Sequence, residues 1–159
     1  MNILHMSETK LIGQRIELTD DYQRNLSVVQ EFWKTFNRNI RYANIYIPKQ
    51  WIKYGLTLRE ENKLYYFCAL PAYGYLPDGF EEITIKESDY LCVEHLGSLH
   101  TLFDSYKLLH DDAVLQSSYQ LRDDNLVYFE RYTSRFQWNA KGSVIEIWVP
   151  VEKTEERVS

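Results

Sequence analysis

The sequence contains little cysteine, and this scarcity excludes a fold held together by several disulfides. Only Cys68 and Cys92 are present, each within an apolar, strand-like stretch. No Cys-x-x-Cys pair and no closely spaced histidine accompanies them, as a zinc site would require. With no signal peptide, both are expected to be buried thiols in a reducing compartment. We therefore predict a cytoplasmic protein that holds no metal and needs no cofactor.

The sequence also lacks an excess of basic charge and any long apolar run. It has 18 lysines and arginines against 23 acidic residues, which gives a net charge of -5. A nucleic-acid-binding surface needs clustered basic residues, and those present here are scattered. A membrane-spanning helix needs roughly 18 or more apolar residues in a row. We therefore expect neither direct DNA binding nor insertion into a membrane.

Common catalytic and phosphate-binding signatures are absent as well. The chain contains no Gly-x-Ser-x-Gly nucleophile elbow and no glycine-rich phosphate loop. His100 and Asp104 lie four residues apart in a predicted helix, but no third ligand accompanies them, so we predict no metal site there. Nucleotide binding and serine-hydrolase chemistry therefore have no support.

Aromatic residues are what the sequence has in excess. Its 159 residues include 13 tyrosines, 7 phenylalanines and 4 tryptophans, which make up 15% of the chain. A chain of this length is most simply one domain with a substantial core. Aromatic rings fill cores as readily as they line ligand pockets, so their number alone leaves both uses open.

The periodicity of apolar residues predicts an α+β domain. Residues 20–40 and 98–110 have helical spacing, and the other apolar stretches alternate as strands do. Pro150 is expected to end the last strand. We therefore assign residues 1–9 to an N-terminal extension, residues 10–151 to the domain and residues 152–159 to a C-terminal tail. The predicted strands are residues 10–18, 54–59, 63–70, 83–85, 90–95, 126–132 and 143–149.

The predicted elements follow one another as strand-helix-strand-strand, and this order occurs twice. Two such repeats typically form one curved antiparallel sheet with both helices on one face, because each apolar face must be covered by another element. The other face of the sheet would then stay open. We predict that this open face forms a ligand cleft.

The strand at residues 126–132 carries the sharpest candidate site. Alternation places Tyr128, Glu130 and Tyr132 on one face of the sheet. A carboxylate flanked by tyrosines suits a cationic or hydrogen-bonding ligand, because the charge and the ring faces both attract cations. The alternative is a partly exposed strand glutamate that pairs with Arg131 or Lys141.

Two other strands add candidates for the same cleft. In residues 143–149, Glu146 and Trp148 share one face, and we expect both to join Glu130. In the hairpin strand at residues 63–70, either Tyr65 or Tyr66 must face the cleft, and we favour Tyr66. The predicted ligand-binding set is Glu130, Tyr128, Tyr132, Glu146, Trp148 and Tyr66.

The chain resembles a known family in three segments. They are residues 79–97, residues 128–132 with the sequence Tyr-Phe-Glu-Arg-Tyr, and residues 148–151 with the sequence Trp-Val-Pro-Val. In order and spacing they are similar to the GyrI-like small-molecule-binding domain. That domain is the effector-binding module of AraC-type and MerR-type multidrug regulators, and it also occurs alone. The resemblance implies that Glu130 contacts the ligand. The chain departs from the family at residues 108–112, where relatives often carry a Trp and a Leu-Pro.

The function implied by this resemblance is that of a stand-alone small-molecule-binding, or effector-binding, protein. Its ligand would be planar and aromatic or cationic, with a link to transcription regulation or to sequestration of drugs and toxins. Regulators of the family join the module to a DNA-binding helix-turn-helix domain. The nine residues before the first predicted strand leave no room for one, so direct DNA binding is not expected.

Two other functions stay open at the level of sequence. One is hydrolysis of electrophilic natural products, with Glu130 as the general base and Tyr132 or Tyr66 as the proton donor. The other is inhibition of a protein partner through the acidic surface, as the gyrase-inhibitor namesake of the family implies. Of the three, small-molecule binding without catalysis is the leading expectation.

Overall fold

The computed structural model describes residues 2–72, 74–96, 118–122, 124–134, 136 and 144–154, which form one helix and nine strands. The helix, α1, spans Tyr22–Tyr42. The strands are β1 (Asn2–Met6), β2 (Thr9–Glu17), β3 (Ile52–Glu60), β4 (Lys63–Pro71), β5 (Glu81–Ile85), β6 (Ser88–Leu96), β7 (Tyr119–Leu121), β8 (Leu126–Thr133) and β9 (Val144–Lys153).

The strands form one curled antiparallel sheet. Neighbouring strands follow the order β1-β6-β9-β8-β3-β4-β2-β5, and β7 pairs with the end of β9. The hairpin between β3 and β4 turns on Glu61 and Asn62, whose positive φ angles of 51° and 66° suit the twist of the flanking strands. In this order β8 lies between β3 and β9, so the middle of β8 is shielded on both sides.

The helix α1 packs its apolar stripe onto the sheet. Asp21 caps its N-terminus, because the side-chain carboxylate accepts a hydrogen bond from the backbone N–H of Arg24. Trp33, Phe36 and Ile40 recur at spacings of three and four and are almost completely buried. All three side chains therefore belong to the core between the helix and the sheet.

The two faces of the sheet bury different sets of side chains. The helix face, which carries α1, buries Tyr66, Tyr132 and Ile147 together with Trp33. The opposite face buries a second set of mainly aromatic and aliphatic side chains: Leu11, Tyr54, Leu56, Leu58, Phe67, Ala69, Ile85, Tyr90, Cys92, Leu126, Phe129 and Trp148. Side chains alternate along β9 and along β8 from Tyr128 onward, so the faces of these residues follow from this division. A bulge before Tyr128 shifts the register, so Leu126 lies on the same face as Phe129.

The predicted α+β class and the single antiparallel sheet are confirmed. The second predicted helix, residues 98–110, lies outside the described residues, so the two-repeat layout and the packing of two helices on one face stay predictions. Residues 2–6, which the sequence analysis placed in an extension, instead form β1 and pair with β6. Strand β1 therefore belongs to the sheet.

The expectation that Pro150 ends the last strand is wrong. Strand β9 continues to Lys153, and Pro150 lies where β9 changes partner from β6 to β7. Proline cannot donate a backbone hydrogen bond, but its carbonyl still accepts one from the N–H of Arg122. In the described part of the chain, α1 included, no helix is long and apolar enough to cross a membrane.

Candidate functional site

Glu130 lies at the centre of the sheet and is buried. It is 2% exposed, and its partners across the sheet are Gly55 on β3 and Ile147 on β9. A carboxylate removed from water is unfavourable unless a cation or hydrogen bonds compensate for the lost hydration. Among the described residues Glu130 has no cationic partner. The question is therefore what compensates for its burial.

A chain of hydrogen bonds leads from α1 to one carboxylate oxygen. The indole Nε1–H of Trp33 donates to the hydroxyl of Tyr66 at 2.9 Å. That hydroxyl in turn donates to Oε1 of Glu130 over a long 3.4 Å. Oε2 of Glu130 has no hydrogen-bond partner in the described structure, nor has the buried hydroxyl of Tyr132. Glu130 is thus only half satisfied.

Gly55 makes room for this arrangement, and the sequence analysis did not single it out. A Cβ atom at position 55 would lie 2.0 Å from the Tyr66 hydroxyl oxygen and 3.2 Å from Oε2 of Glu130. Any larger residue would therefore push the tyrosine hydroxyl away from the carboxyl group. One feature of the sequence could have indicated this role: a lone glycine inside a strand often marks a close approach by another group.

Burial raises the pKa of Glu130 to about 8. The cause is loss of water around the charged form. Hydrogen bonds from its own backbone N–H and from Tyr66, together with the nearby hydroxyl of Tyr132, offset only part of it. The pKa of Tyr66 is raised well above its ordinary value, first by burial and then by the nearby Glu130. Near neutral pH, Glu130 is therefore mostly protonated in the empty site.

A pocket of about 80 Å³ adjoins this cluster. Trp33 and Tyr132, whose rings meet edge to face at a centroid distance of 5.3 Å, belong both to the pocket wall and to the surroundings of Glu130. Glu130 itself does not line the pocket, so a ligand that reaches it must displace one of these rings. The pocket is lined by Trp33, Asn37, Trp51, Lys53, Tyr132 and Phe136.

A larger pocket of about 490 Å³ lies elsewhere on the surface, and none of the described side chains that line it is charged. These side chains therefore offer no charge partner to a ligand. Its walls are Ile12, Asn44, Ile45, Tyr46, Pro48 and Tyr75. In the described residues, no three His, Cys, Asp or Glu side chains are grouped so as to hold a metal ion.

The structure brings four of the six predicted site residues to one place. Tyr128, Glu130 and Tyr132 lie on the helix face of β8, and Tyr66 of β4 reaches Glu130 on the same face. The choice of Tyr66 over Tyr65 is consistent with this geometry. Whether these residues bind a ligand is a separate question.

Glu146 and Trp148 do not join Glu130. The β8–β9 register pairs Arg131 with Glu146 and Phe129 with Trp148, so both predicted residues lie on the opposite face. There Glu146 accepts a hydrogen bond from Arg131 at 2.7 Å, and the Trp148 ring stacks on Phe129. Alternation within β9 was predicted correctly, but the register between two strands decides which face is shared.

Two further expectations need correction. The cleft was predicted on the face away from the helices, but Glu130 lies on the helix face, beside Trp33 of α1. The alternative pairing of Glu130 with Arg131 is also wrong, because Arg131 points to the other face and pairs with Glu146. Lys141, the other partner considered, lies outside the described residues.

This geometry can be set beside that of known proteins. Residues 2–151 match the family described as Cass2, integron-associated effector binding protein. The chain belongs to this family. The resemblance to the GyrI-like effector-binding domain is thereby confirmed. No curated protein is similar enough in sequence to count as a relative of this effector-binding protein.

Three solved structures share the fold of this effector-binding protein. SAV2435 bound to tetraphenylphosphonium is 17% identical, with 95% of this chain and 93% of that chain covered and a TM-score of 0.74. The EcmrR C-terminal domain is 20% identical over 96% and 97% of the chains, with a TM-score of 0.65. The Vibrio cholerae integron cassette protein VCH_CASS2 is 16% identical over 95% of each chain, also with a TM-score of 0.65.

The raised pKa of Glu130 predicts how stability depends on pH. The ordinary pKa of 4.5 applies to the unfolded chain and a value of about 8 to the folded protein. Between these values the folded protein holds the proton more tightly, so its free energy of unfolding falls as pH rises, by at most about 1.4 kcal/mol per pH unit. Glu130→Gln removes this loss.

Chemical denaturation of both proteins between about pH 5 and pH 9 measures this effect. The stability advantage of Glu130→Gln over the wild type should widen up to about pH 8 and then stay constant. Parallel stability curves for the two proteins across the whole range would show that Glu130 does not titrate in this way.

Proposed function

We propose that this effector-binding protein binds a small aromatic organic cation, with Glu130 as its charge partner. The observation that carries the proposal is the buried Oε2 oxygen of Glu130, which has no partner among the described residues. A cation placed beside it would supply the missing compensation, since charge-assisted contacts are strongest where water is excluded. Tyr66, Tyr128 and Tyr132 supply aromatic surfaces around it.

The empty site avoids an unpaired charge by holding a proton. Glu130 is mostly neutral at pH 7 because its pKa is about 8. A permanently charged ligand would bind to the ionised form and so expel the proton. Protonation thus lets the protein fold with an acidic group in an apolar place and still present a negative charge when the ligand arrives.

Access to Glu130 requires the pocket to widen. The pocket of about 80 Å³ is too small for a ligand with several rings. Tyr132 is the ring that moves at less cost, because its hydroxyl lies near Glu130 and Tyr66 but makes no hydrogen bond of good geometry in the described structure. Tyr66 is held by hydrogen bonds to Trp33 and Glu130. We therefore assign Tyr132 as the movable wall and Tyr66 as the fixed one.

The ligand class is also supported by one structural neighbour. SAV2435 is bound to tetraphenylphosphonium, a cation that carries four phenyl rings. At 17% identity the likeness shows a common fold only. Its ligand nevertheless makes a suitable first probe, because it combines a fixed positive charge with aromatic surface.

Removal of the Glu130 charge tests the proposal. At about pH 8.5, where Glu130 is largely ionised, Glu130→Gln should weaken tetraphenylphosphonium binding by roughly 1.5 to 3 kcal/mol, the range for a hydrogen bond or contact to a charged group. The affinity for triphenylphosphine oxide, a neutral compound with three of the four rings, should fall much less in the same variant. Isothermal titration calorimetry measures both affinities.

Glu146→Gln is the matched control, since it makes the same change on β9 but on the opposite face of the sheet. This variant should bind tetraphenylphosphonium as the wild type does. The proposal fails if Glu130→Gln and the wild type have equal affinities for the cation.

Hydrolysis is a second candidate, favoured by the raised pKa of Glu130 and its free oxygen. A carboxylate with a pKa near 8 can act as a general base near neutral pH, and Tyr132 could donate a proton. With styrene oxide and 4-nitrophenyl acetate as electrophilic probes, we expect no turnover above the buffer rate. Turnover that is lost in Glu130→Gln and in Tyr132→Phe would instead favour an enzyme.

A further inference from the structure

Lys53 places a positive charge in the same pocket. It lies on β3, pairs across the sheet with Tyr132 and lines the pocket wall. Its ammonium nitrogen is 4.6 Å from the centre of the Trp51 ring. It donates a hydrogen bond of 2.7 Å to Oδ1 of Asn37 on α1. The side chain is therefore held against the pocket wall and is only partly exposed.

No carboxylate among the described residues neutralises the charge of Lys53. In the part of the chain that the structure describes, no carboxylate forms an ion pair with its ammonium group. Burial lowers its pKa, because the charged form loses water that Asn37 and Trp51 replace only in part. A lysine that is half-buried without an anion is free to accept one from a ligand.

Lys53 and Glu130 are near one another but do not pair. On adjacent strands Gly55 is opposite Glu130 and Lys53 is opposite Tyr132, so the two residues are diagonal neighbours on the helix face. Backbones in this relation are about 7 to 8 Å apart. Glu130 nevertheless has no cationic partner among the described residues, and Lys53 is directed to Trp51 and Asn37. The site thus contains a carboxyl group and an ammonium group that do not form an ion pair with each other.

We propose that the site selects zwitterionic ligands, in which a cationic group meets Glu130 and an anionic group meets Lys53. This inference rests on the function proposed above and assigns Lys53 as a specificity residue. A ligand with only a positive charge is repelled by Lys53, whereas a ligand that also carries a carboxylate is attracted to it. Both effects favour a zwitterionic ligand over a ligand that carries only a positive charge.

A matched pair of ligands tests the inference. The first probe is (4-carboxybutyl)triphenylphosphonium, which carries a carboxylate on a flexible arm, and the second is its methyl ester. Both have the same permanent cation and differ only in the negative charge. The wild type should bind the acid roughly tenfold or more tightly than the ester, as expected for a contact between charged groups. Quenching of tryptophan fluorescence by the probes reports binding, because Trp33 and Trp51 line the pocket.

Lys53→Met keeps an unbranched side chain that is one atom shorter and removes its charge. In this variant the acid should lose its advantage, while the ester binds as well as before or better. Lys63→Met is the control, because it makes the same change at an exposed position beside the β3–β4 turn. It should keep the preference of the wild type. Lys53→Gln, whose side chain can still bond to Asn37, repeats the test if Lys53→Met does not fold.

Several results would overturn the inference. They are equal binding of acid and ester by the wild type, binding of neither probe, and a preference for the acid that survives in both Lys53 variants. Glu130→Gln, tested with the ester, separates this failure from that of the proposed function. If Glu130→Gln weakens ester binding but the wild type shows no preference for the acid, then Glu130 is the charge partner and Lys53 has no role in specificity.

Discussion

The structure depends on the burial of one acidic side chain that no described cationic group neutralises. Glu130 is 2% exposed at the centre of the sheet, and one of its oxygens has no partner among the described residues. Loss of water raises its pKa to about 8, so near neutral pH the carboxyl group of Glu130 is mostly protonated and uncharged in the empty site. Under the proposed function, a cationic ligand would replace this proton and leave Glu130 ionised. The ligand and the proton would therefore compete for one carboxyl group.

The surrounding described residues keep Glu130 buried through packing and not through ion pairs. Gly55 leaves space above β3 for the Tyr66 hydroxyl, and Trp33 holds that hydroxyl from α1. This contact couples the position of the helix to the carboxyl group. Lys53 is kept apart from Glu130 by its own contacts with Trp51 and Asn37. Lys53 thus lies close to Glu130 without forming an ion pair with it.

Local patterns in the sequence predicted α1, seven of the strands and the face shared by Tyr128, Glu130 and Tyr132, since apolar periodicity reports burial within one element. Relations between elements were harder to predict. Glu146 and Trp148 were assigned to the wrong face because the β8–β9 register is set by pairing across the sheet. Asn2–Met6 has only five residues and no strict alternation, so its sequence did not suggest the strand that pairs with β6. Gly55 and Lys53 have roles that depend on residues far away in sequence.

The central claim is that ligand and proton compete for Glu130, and proton release on binding tests it most directly. Titrating tetraphenylphosphonium into the protein by calorimetry, in buffers of different ionisation enthalpy, counts the protons released. Because the ligand has no proton to lose, all of them come from the protein. At about pH 7, one unit below the pKa, roughly 0.9 proton should be released per ligand, and none from Glu130→Gln. A binding enthalpy that is the same in every buffer would contradict the account.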